Sequence, residues 1–130
     1  MERDPDIENK STLLVVDNDE DMLALITCFL VDYGYNVLTA KCSKDAVQVF
    51  EANKDQIALT FLDMEMLDIS GIDALIEIKR ISRNAKILLI AGNSTEIIVK
   101  RLTASRGVSF IKIPFGNTTL CYQIRNILVG

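Results

Sequence analysis

The sequence predicts an α/β domain in which helices cover both faces of a parallel sheet. Five short apolar runs, each as long as one strand, alternate along the chain with five segments whose apolar residues recur at the helical period. The connections between these segments are short, as strict strand–helix alternation requires. A length of 130 residues suits one such domain with a substantial core.

The first half of the chain contains two strand–helix units. Thr12 to Val16 is an apolar run that ends at Asp17, and the acidic residues after it are typical of the amino end of a helix. Gly34 favours a stop for this helix, and Tyr35 to Ala40 follows as a second strand with β-branched residues at alternate positions. The apolar face of the next helix consists of Ala46, Val47 and Phe50.

The third strand is the most informative stretch of the chain. Ile57 to Leu62 is an apolar run that stops abruptly at Asp63, a pattern typical of a strand buried on both faces. A helical period then begins at Ile72 and reaches about Ser82. Asp63 is therefore predicted at the carboxyl end of a central parallel strand, where open α/β sheets bind their ligands.

Two further units complete the chain. Lys86 to Ala91 is predicted as the fourth strand, and Glu96 to Ala104 as the fourth helix. Val108 to Ile113 is the fifth strand, and Pro114 ends it. The last helix has one apolar face, formed by Leu120, Ile124, Ile127 and Leu128.

Composition excludes several classes of function. Apolar residues make up 49% of the chain and charged residues 25%, which is typical of a folded domain. With a net charge of −4, the domain is not expected to bind nucleic acid. The absence of histidine excludes histidine-based triads, histidine zinc sites and a phosphohistidine in this chain. No apolar run approaches the length of a membrane span, so no membrane partner is expected.

The termini and the cysteines indicate the compartment. Residues 1–10 are charged and polar, so we expect a flexible amino-terminal tail and not a signal peptide. The three cysteines, Cys28, Cys42 and Cys121, lie far apart in apolar segments. We therefore expect buried free thiols and a cytoplasmic protein.

Two carboxylates end strands that can be neighbours. Asp17 follows the first strand and Asp63 the third, and these strands can lie side by side in a doubly wound sheet. Clustered carboxylates repel one another and are stable as anions mainly around a hard cation. Mg²⁺ accepts one or two carboxylates and keeps places for water and phosphate oxygens, and a carboxylate beside it can act as a nucleophile toward a phosphoryl group.

The segments VVDND, FLDMEMLDISGID and FIKIPF, in this order of elements, resemble the receiver domain of two-component response regulators. The resemblance covers residues 11 to 129 and implies a receiver domain over residues 11–130. It implies a three-layer αβα fold, the flavodoxin-like (βα)5 arrangement, with a parallel sheet of strand order 2-1-3-4-5. The implied function is phosphorelay signal transduction and not enzymatic turnover.

The resemblance also implies site residues and partners. Asp63 would accept a phosphoryl group from a histidine kinase or phosphotransfer protein. Mg²⁺ would be held by Asp17, Asn18, Asp63 and the main-chain carbonyl of Glu65. The surface of the fourth helix, fifth strand and fifth helix would relay the state of Asp63 to a second copy or an output partner.

Several positions depart from the family pattern. Asn18 replaces the second acidic residue, so we expect Mg²⁺ to bind weakly. Ala91 stands where the family has Thr or Ser, and Ile113 where it has the Lys of a Lys-Pro pair whose peptide bond is typically cis. The neighbouring Lys112 would point away from Asp63 unless a bulge turned it. Phe110, in contrast, fits the family's Tyr or Phe switch position. Because the other positions depart from the pattern, the resemblance implies an atypical receiver with weakened switching.

Two other functions fit parts of the sequence. A pseudo-receiver would keep this fold and bind partners constitutively, without accepting a phosphoryl group. A small haloacid-dehalogenase-like phosphatase would use Asp17 as its nucleophile, since Asp17-Asn18-Asp19 matches the Asp-x-Asp start of that class. That class also needs a later Lys and an acidic metal pair on a larger domain, and we find no convincing set in this sequence.

Overall fold

Strands and helices alternate strictly in the computed structural model, which describes residues 11–64, 70–92 and 96–129. The elements are β1 (Thr12–Val16), α1 (Glu20–Asp32), β2 (Asn36–Ala40), α2 (Ser43–Asn53), β3 (Ile57–Asp63), α3 (Ser70–Ile81), β4 (Ile87–Ala91), α4 (Glu96–Leu102), β5 (Val108–Lys112) and α5 (Asn117–Val129). The strands are all parallel, in the order β2-β1-β3-β4-β5. The predicted (βα)5 fold and its strand order are confirmed.

The sheet separates two apolar cores because side chains alternate between its faces. One core joins the sheet to α1 and α5, and its strand residues are Leu13, Val15, Leu59, Phe61, Leu88, Ile90 and Ile111. The other joins the sheet to α2, α3 and α4, and its strand residues include Leu14, Val16, Leu62, Leu89 and Ala91. Central strands therefore need apolar residues at nearly every position, which explains the nearly continuous apolar runs in the sequence.

The predicted element ends differ from the structure by one or two residues. Tyr35 and Lys86 precede β2 and β4, Ile113 follows β5, and α4 ends at Leu102. Element ends fray, and their exact residues depend on hydrogen bonds that a sequence pattern does not specify. Among the described segments, no helix is both long and apolar enough to cross a bilayer.

The prediction of buried cysteines is wrong, although all three thiols are free. Cys28 and Cys42 are exposed, and Cys121 is half-buried. Cys28 lies on the outer side of α1, where apolar residues continue beyond the buried stripe, so apolar neighbours in the sequence did not mean burial. Burial raises the pKa of the Cys121 thiol, and the hydroxyl of Tyr33 forms a hydrogen bond with its sulfur.

One lysine joins two loops at the amino ends of β4 and β5. Lys79 Nζ, at the end of α3, donates to the carbonyl oxygen of Ala85 at 2.6 Å and to that of Arg106 at 2.5 Å. Gly107 follows with φ +80°, a conformation that side chains disfavour. A Cβ at this position would lie 3.0 Å from the Ala85 carbonyl oxygen and 3.1 Å from Lys79 Nζ.

Gly107→Ala is therefore expected to destabilise the domain by about 2 kcal/mol, since alanine adds both backbone strain and a contact that is too close. Urea unfolding measures the loss. Gly116→Ala is the matched control, because a Cβ at Gly116 meets nothing within 4 Å. The control should lose less than about 1 kcal/mol. If both variants lost the same free energy of unfolding, the close contact with Ala85 and Lys79 would not be the cause.

Candidate functional site

Asp17 and Asp63 lie at the same end of neighbouring strands. Val16 pairs with Leu62 in the β1–β3 ladder, and each aspartate is the next residue along its strand. Neighbouring strands are about 4.8 Å apart. On the other side of β3, Asp63 pairs with Ile90 of β4. The fold thus brings together the two carboxylates that the sequence singles out.

Asp17 is a buried carboxylate, and only one of its two oxygens has a hydrogen-bond partner among the described residues. Its side chain is 1% exposed, and its Oδ1 accepts a hydrogen bond from the backbone N–H of Asp19 at 2.9 Å. Its Oδ2 is buried and has no hydrogen-bond partner among the described residues. A buried anionic oxygen without a partner is costly, and a bound cation removes that cost.

The remaining predicted metal ligands lie at the same edge or outside the described residues. Asn18 is exposed directly after Asp17, and Asp63 is half-buried. Glu65 falls outside the described residues. Within the described parts of the chain, no group of three or more His, Cys, Asp or Glu residues is suited to a metal. Two carboxylates and an amide, all oxygen donors, nevertheless fit Mg²⁺, which keeps several waters and needs few protein ligands.

Three of the predicted switch positions, Ala91, Lys112 and Ile113, lie at the carboxyl ends of β4 and β5. Ala91 is fully buried at the end of β4, and its carbonyl oxygen accepts a hydrogen bond from the N–H of Ile113 at 2.8 Å. The Ile113–Pro114 peptide bond is cis, as the resemblance implies. The pairing of β4 with β5 is regular as far as Lys112, so the structure shows no bulge there. Phe110 is partly buried against the core formed with α2, α3 and α4.

A model of the response regulator receiver domain matches residues 13–125. The chain belongs to this family. The match begins one residue inside β1 and covers the rest of the sheet. The predicted receiver family is therefore confirmed, and the function of the domain is that of a two-component signalling module. Receiver domains generally bind Mg²⁺ and interact with histidine kinases or phosphotransfer proteins, and they are not typically catalytic. The comparisons offer no support for the phosphatase alternative and do not favour the pseudo-receiver.

Curated relatives of the receiver domain are longer proteins. The chain is 37% identical to the autoinducer 1 sensor kinase/phosphatase LuxN of Vibrio campbellii over 91 residues, which is 69% of this chain and 10% of LuxN. It is 33% identical to the uncharacterized transcriptional regulatory protein YrkP of Bacillus subtilis over 108 residues, 83% of this chain and 45% of YrkP. The chain therefore spans less than half of each of these relatives.

Solved structures show the same fold. A response regulator receiver domain protein from Clostridium thermocellum superimposes with a TM-score of 0.83 at 26% identity. The superposition covers 92% of this chain and 94% of that one.

The receiver domain also has an apolar groove that the sequence analysis missed. Ile113 lies in a groove of about 810 Å³ with Met22 and Leu25 of α1 and with Phe115 and Leu120 near the start of α5. Leu25 is 67% exposed and Met22 is 39% exposed. Helix α1 has apolar residues on more than one face, and this excess was the signal in the sequence that could have revealed the groove.

Proposed function

We propose that this receiver domain accepts a phosphoryl group on Asp63 from the phosphohistidine of a histidine kinase or phosphotransfer protein. The observation that carries the proposal is the buried Oδ2 of Asp17, which has no hydrogen-bond partner among the described residues. Asp17 directly follows β1, and β1 pairs with β3, the strand that ends at Asp63. An oxygen of this kind suits a site that is completed by a cation and a phosphoryl group.

In this reaction a carboxylate oxygen of Asp63 attacks phosphorus while the P–N bond of the phosphohistidine breaks. The electron pair of that bond leaves with the imidazole nitrogen, and Asp63 becomes an aspartyl phosphate. Asp17, Asn18, Asp63 and the main-chain carbonyl of Glu65 would hold Mg²⁺, which when bound neutralises charge on the phosphoryl oxygens. Asp17 has no nucleophilic role in this proposal, because its side chain is 1% exposed and its oxygen Oδ2 would hold the cation.

The apolar groove suits the phosphoryl donor. It opens beside Ile113, close to the edge that bears Asp63, and its α1 residues begin at Met22, directly after the acidic first turn of that helix. A helix with an apolar stripe and basic residues at one end would complement this wall. Such a helix on a phosphotransfer protein would bring its histidine toward Asp63. The free cysteines suit a cytoplasmic location for this exchange.

The surface formed by α4, β5 and α5 is the proposed output side. Ile98 of α4 is 45% exposed and Tyr122 of α5 is 68% exposed, which is high for large side chains with apolar character. These residues support a contact with a second copy or an output partner. The receiver domain would span residues 11–130, and the tail, residues 1–10, lies outside the described residues.

The acceptor is tested by intact mass. Incubation with Mg²⁺ and a small phosphoryl donor, or with a cognate kinase, should add one phosphoryl group to the wild type, and Asp63→Asn should remove the signal entirely. Asp19→Asn is the matched control, because Asp19 is an exposed carboxylate at the same edge that caps α1, and this variant should be phosphorylated normally. If no donor changes the mass at saturating Mg²⁺, the proposal fails and the pseudo-receiver takes its place.

Weak binding of Mg²⁺ is tested at position 18. Asn18→Asp adds one negative charge beside Asp17, and ligand charge strongly influences the affinity of such sites. The variant should bind Mg²⁺ about tenfold more tightly in a calorimetric titration. Equal affinities for the two proteins would show that residue 18 does not contribute to the metal site.

A further inference from the structure

A polar cleft lies at the end of the sheet opposite Asp63. Its volume is about 540 Å³, within the range of small-molecule sites. One wall comes from the segments that lead into β4 and β5, and the other from the carboxyl-terminal half of α5. The polar lining residues are Asn84, Lys86, Arg106, Ser109, Gln123 and Asn126.

The cleft is positively charged and has no acidic lining. Lys86 and Arg106 supply its cations, and none of its lining residues is Asp or Glu. From residue 78 to residue 130 the sequence contains nine Lys and Arg residues and a single acidic residue, Glu96. Basic residues in the last turns of α3 and α4 are explained by the helix dipole. Lys86 and Arg106 lie outside these helices, so that explanation does not cover them.

Hydrogen bonds fix the walls of the cleft before any ligand arrives. The carbonyl oxygen of Arg106 accepts from Lys79 Nζ at 2.5 Å, and the carbonyl oxygen of Gly107 accepts from the N–H of Ile87 at 2.9 Å. On the other wall, Lys86 Nζ donates to the carbonyl oxygen of Ile127 at 2.8 Å. This bond uses one of the three ammonium donors of Lys86, so two remain for a ligand.

The cations of this corner also act on one another. Burial, with a smaller contribution from the nearby Arg106 guanidinium, lowers the pKa of the Lys79 ammonium. The described ion pairs, Lys41–Glu20 and Arg80–Glu77, lie outside the cleft. Clustered cations that lack an anion among the lining residues are stabilised when a ligand supplies one.

We infer that this cleft binds a small organic phosphate. Arg106 and Lys86 would contact the phosphate, because guanidinium and ammonium groups form strong charge-assisted hydrogen bonds with phosphate oxygens. The side chains of Asn84, Ser109 and Asn126 would contact the polar body of the ligand. The site does not depend on Asp63, so it goes beyond the proposed function. A ligand bound in the cleft would contact β5 and α5 directly.

The test is a titration followed by amide NMR. Pyrophosphate and adenosine monophosphate are added separately to the whole chain, in EDTA so that no metal occupies the Asp17 edge. Both probes should cause saturable shifts at residues 84–86, 106–109 and 123–127. Adenosine, which lacks the phosphate, should cause none. Asp63→Asn should bind as the wild type does, which separates this site from the phosphoryl acceptor.

Single substitutions test whether the charge of Arg106 contributes to phosphate binding. Arg106→Gln keeps the main-chain carbonyl that Lys79 contacts. This variant should weaken the binding of both phosphate probes at least about tenfold. Arg80→Gln is the control, because Arg80 pairs with Glu77 outside the cleft, and its affinity should stay within about twofold of the wild type. Asn126→Ala, at an exposed position of α5, is a second cleft variant if Arg106→Gln folds poorly. The inference is overturned if no saturable shift occurs at millimolar probe, if the shifts cluster at Asp17, or if Arg80→Gln and Arg106→Gln weaken binding equally.

Discussion

Asp17→Asn is expected to stabilise the metal-free protein and to weaken Mg²⁺ binding at the same time. In the absence of metal, Asp17 buries a carboxylate whose Oδ2 has no hydrogen-bond partner among the described residues. Removing that charge should raise the free energy of unfolding by ~1–3 kcal/mol. The Asn oxygen can still accept the bond from the N–H of Asp19. With Mg²⁺ present this gain should shrink by at least about 1.4 kcal/mol, because the lost charge should reduce the affinity for Mg²⁺ at least about tenfold.

Urea unfolding in EDTA and in saturating Mg²⁺, together with calorimetric titration, measures both effects. Asp19→Asn is the matched control. Asp19 is exposed and accepts bonds from the N–H groups of Asp21 and Met22, and asparagine caps a helix equally well. The control should therefore change neither quantity appreciably. A loss of stability for Asp17→Asn in EDTA would mean that the carboxylate has a favourable partner in the metal-free protein.

Ala91→Thr/Ile113→Lys is expected to enlarge the response to a phosphoryl mimic across α4, β5 and α5. A ligand shifts a two-state equilibrium only by its differential interaction with the two states. The wild type lacks a hydroxyl at Ala91 and an ammonium at Ile113, and each charge-assisted contact is worth ~1.5–3 kcal/mol. With beryllium trifluoride and Mg²⁺, wild-type amide shifts should stay near Asp63, whereas those of the double variant should extend over residues 98–129.

Further variants separate a change in switching from a loss of stability. Ile113 is 37% exposed, so Ile113→Lys should fold normally and serves as the safer single variant. Ala91 is fully buried, and the added atoms of Thr could destabilise by ~1–3 kcal/mol through overpacking. Asp63→Asn in both backgrounds should remove the shifts. Large wild-type shifts over residues 98–129, equal to those of the double variant, would show that the switch does not need these contacts.

The sequence predicted the fold and the two aspartates because both depend on local patterns. The run from Ile57 to Leu62 is typical of a strand covered on both faces, and the strand order that the resemblance implies then places Asp63 beside Asp17. The unsatisfied Oδ2 of Asp17 could not be predicted, since it depends on which donors from other segments reach that atom. Cys28 was misjudged for a related reason: α1 is apolar on more than one face, so its sequence period does not identify the buried one.

The groove and the cleft show a second limit of sequence patterns. Leu25 and Ile113 are far apart in the chain, and only the packing of α1 beside the cis Ile113–Pro114 segment makes them neighbours. Lys86 and Arg106 likewise approach each other because β4 and β5 begin at the same edge of the sheet. The excess of basic residues after residue 78 was visible in the sequence, but its concentration at one corner was not.

The bonds from Lys79 to Ala85 and Arg106 also have a mechanical consequence. They connect the end of α3 with the loop before β4 and with the loop that follows α4. Neither loop can move outward by more than about an ångström without losing its bond to the ammonium, because hydrogen bonds weaken steeply beyond normal donor–acceptor distances. Local opening at Ala85 and at Arg106 is therefore one cooperative event and not two independent ones. Through this lysine, a displacement of the loop after α4 would be transmitted to α3, the helix that follows β3.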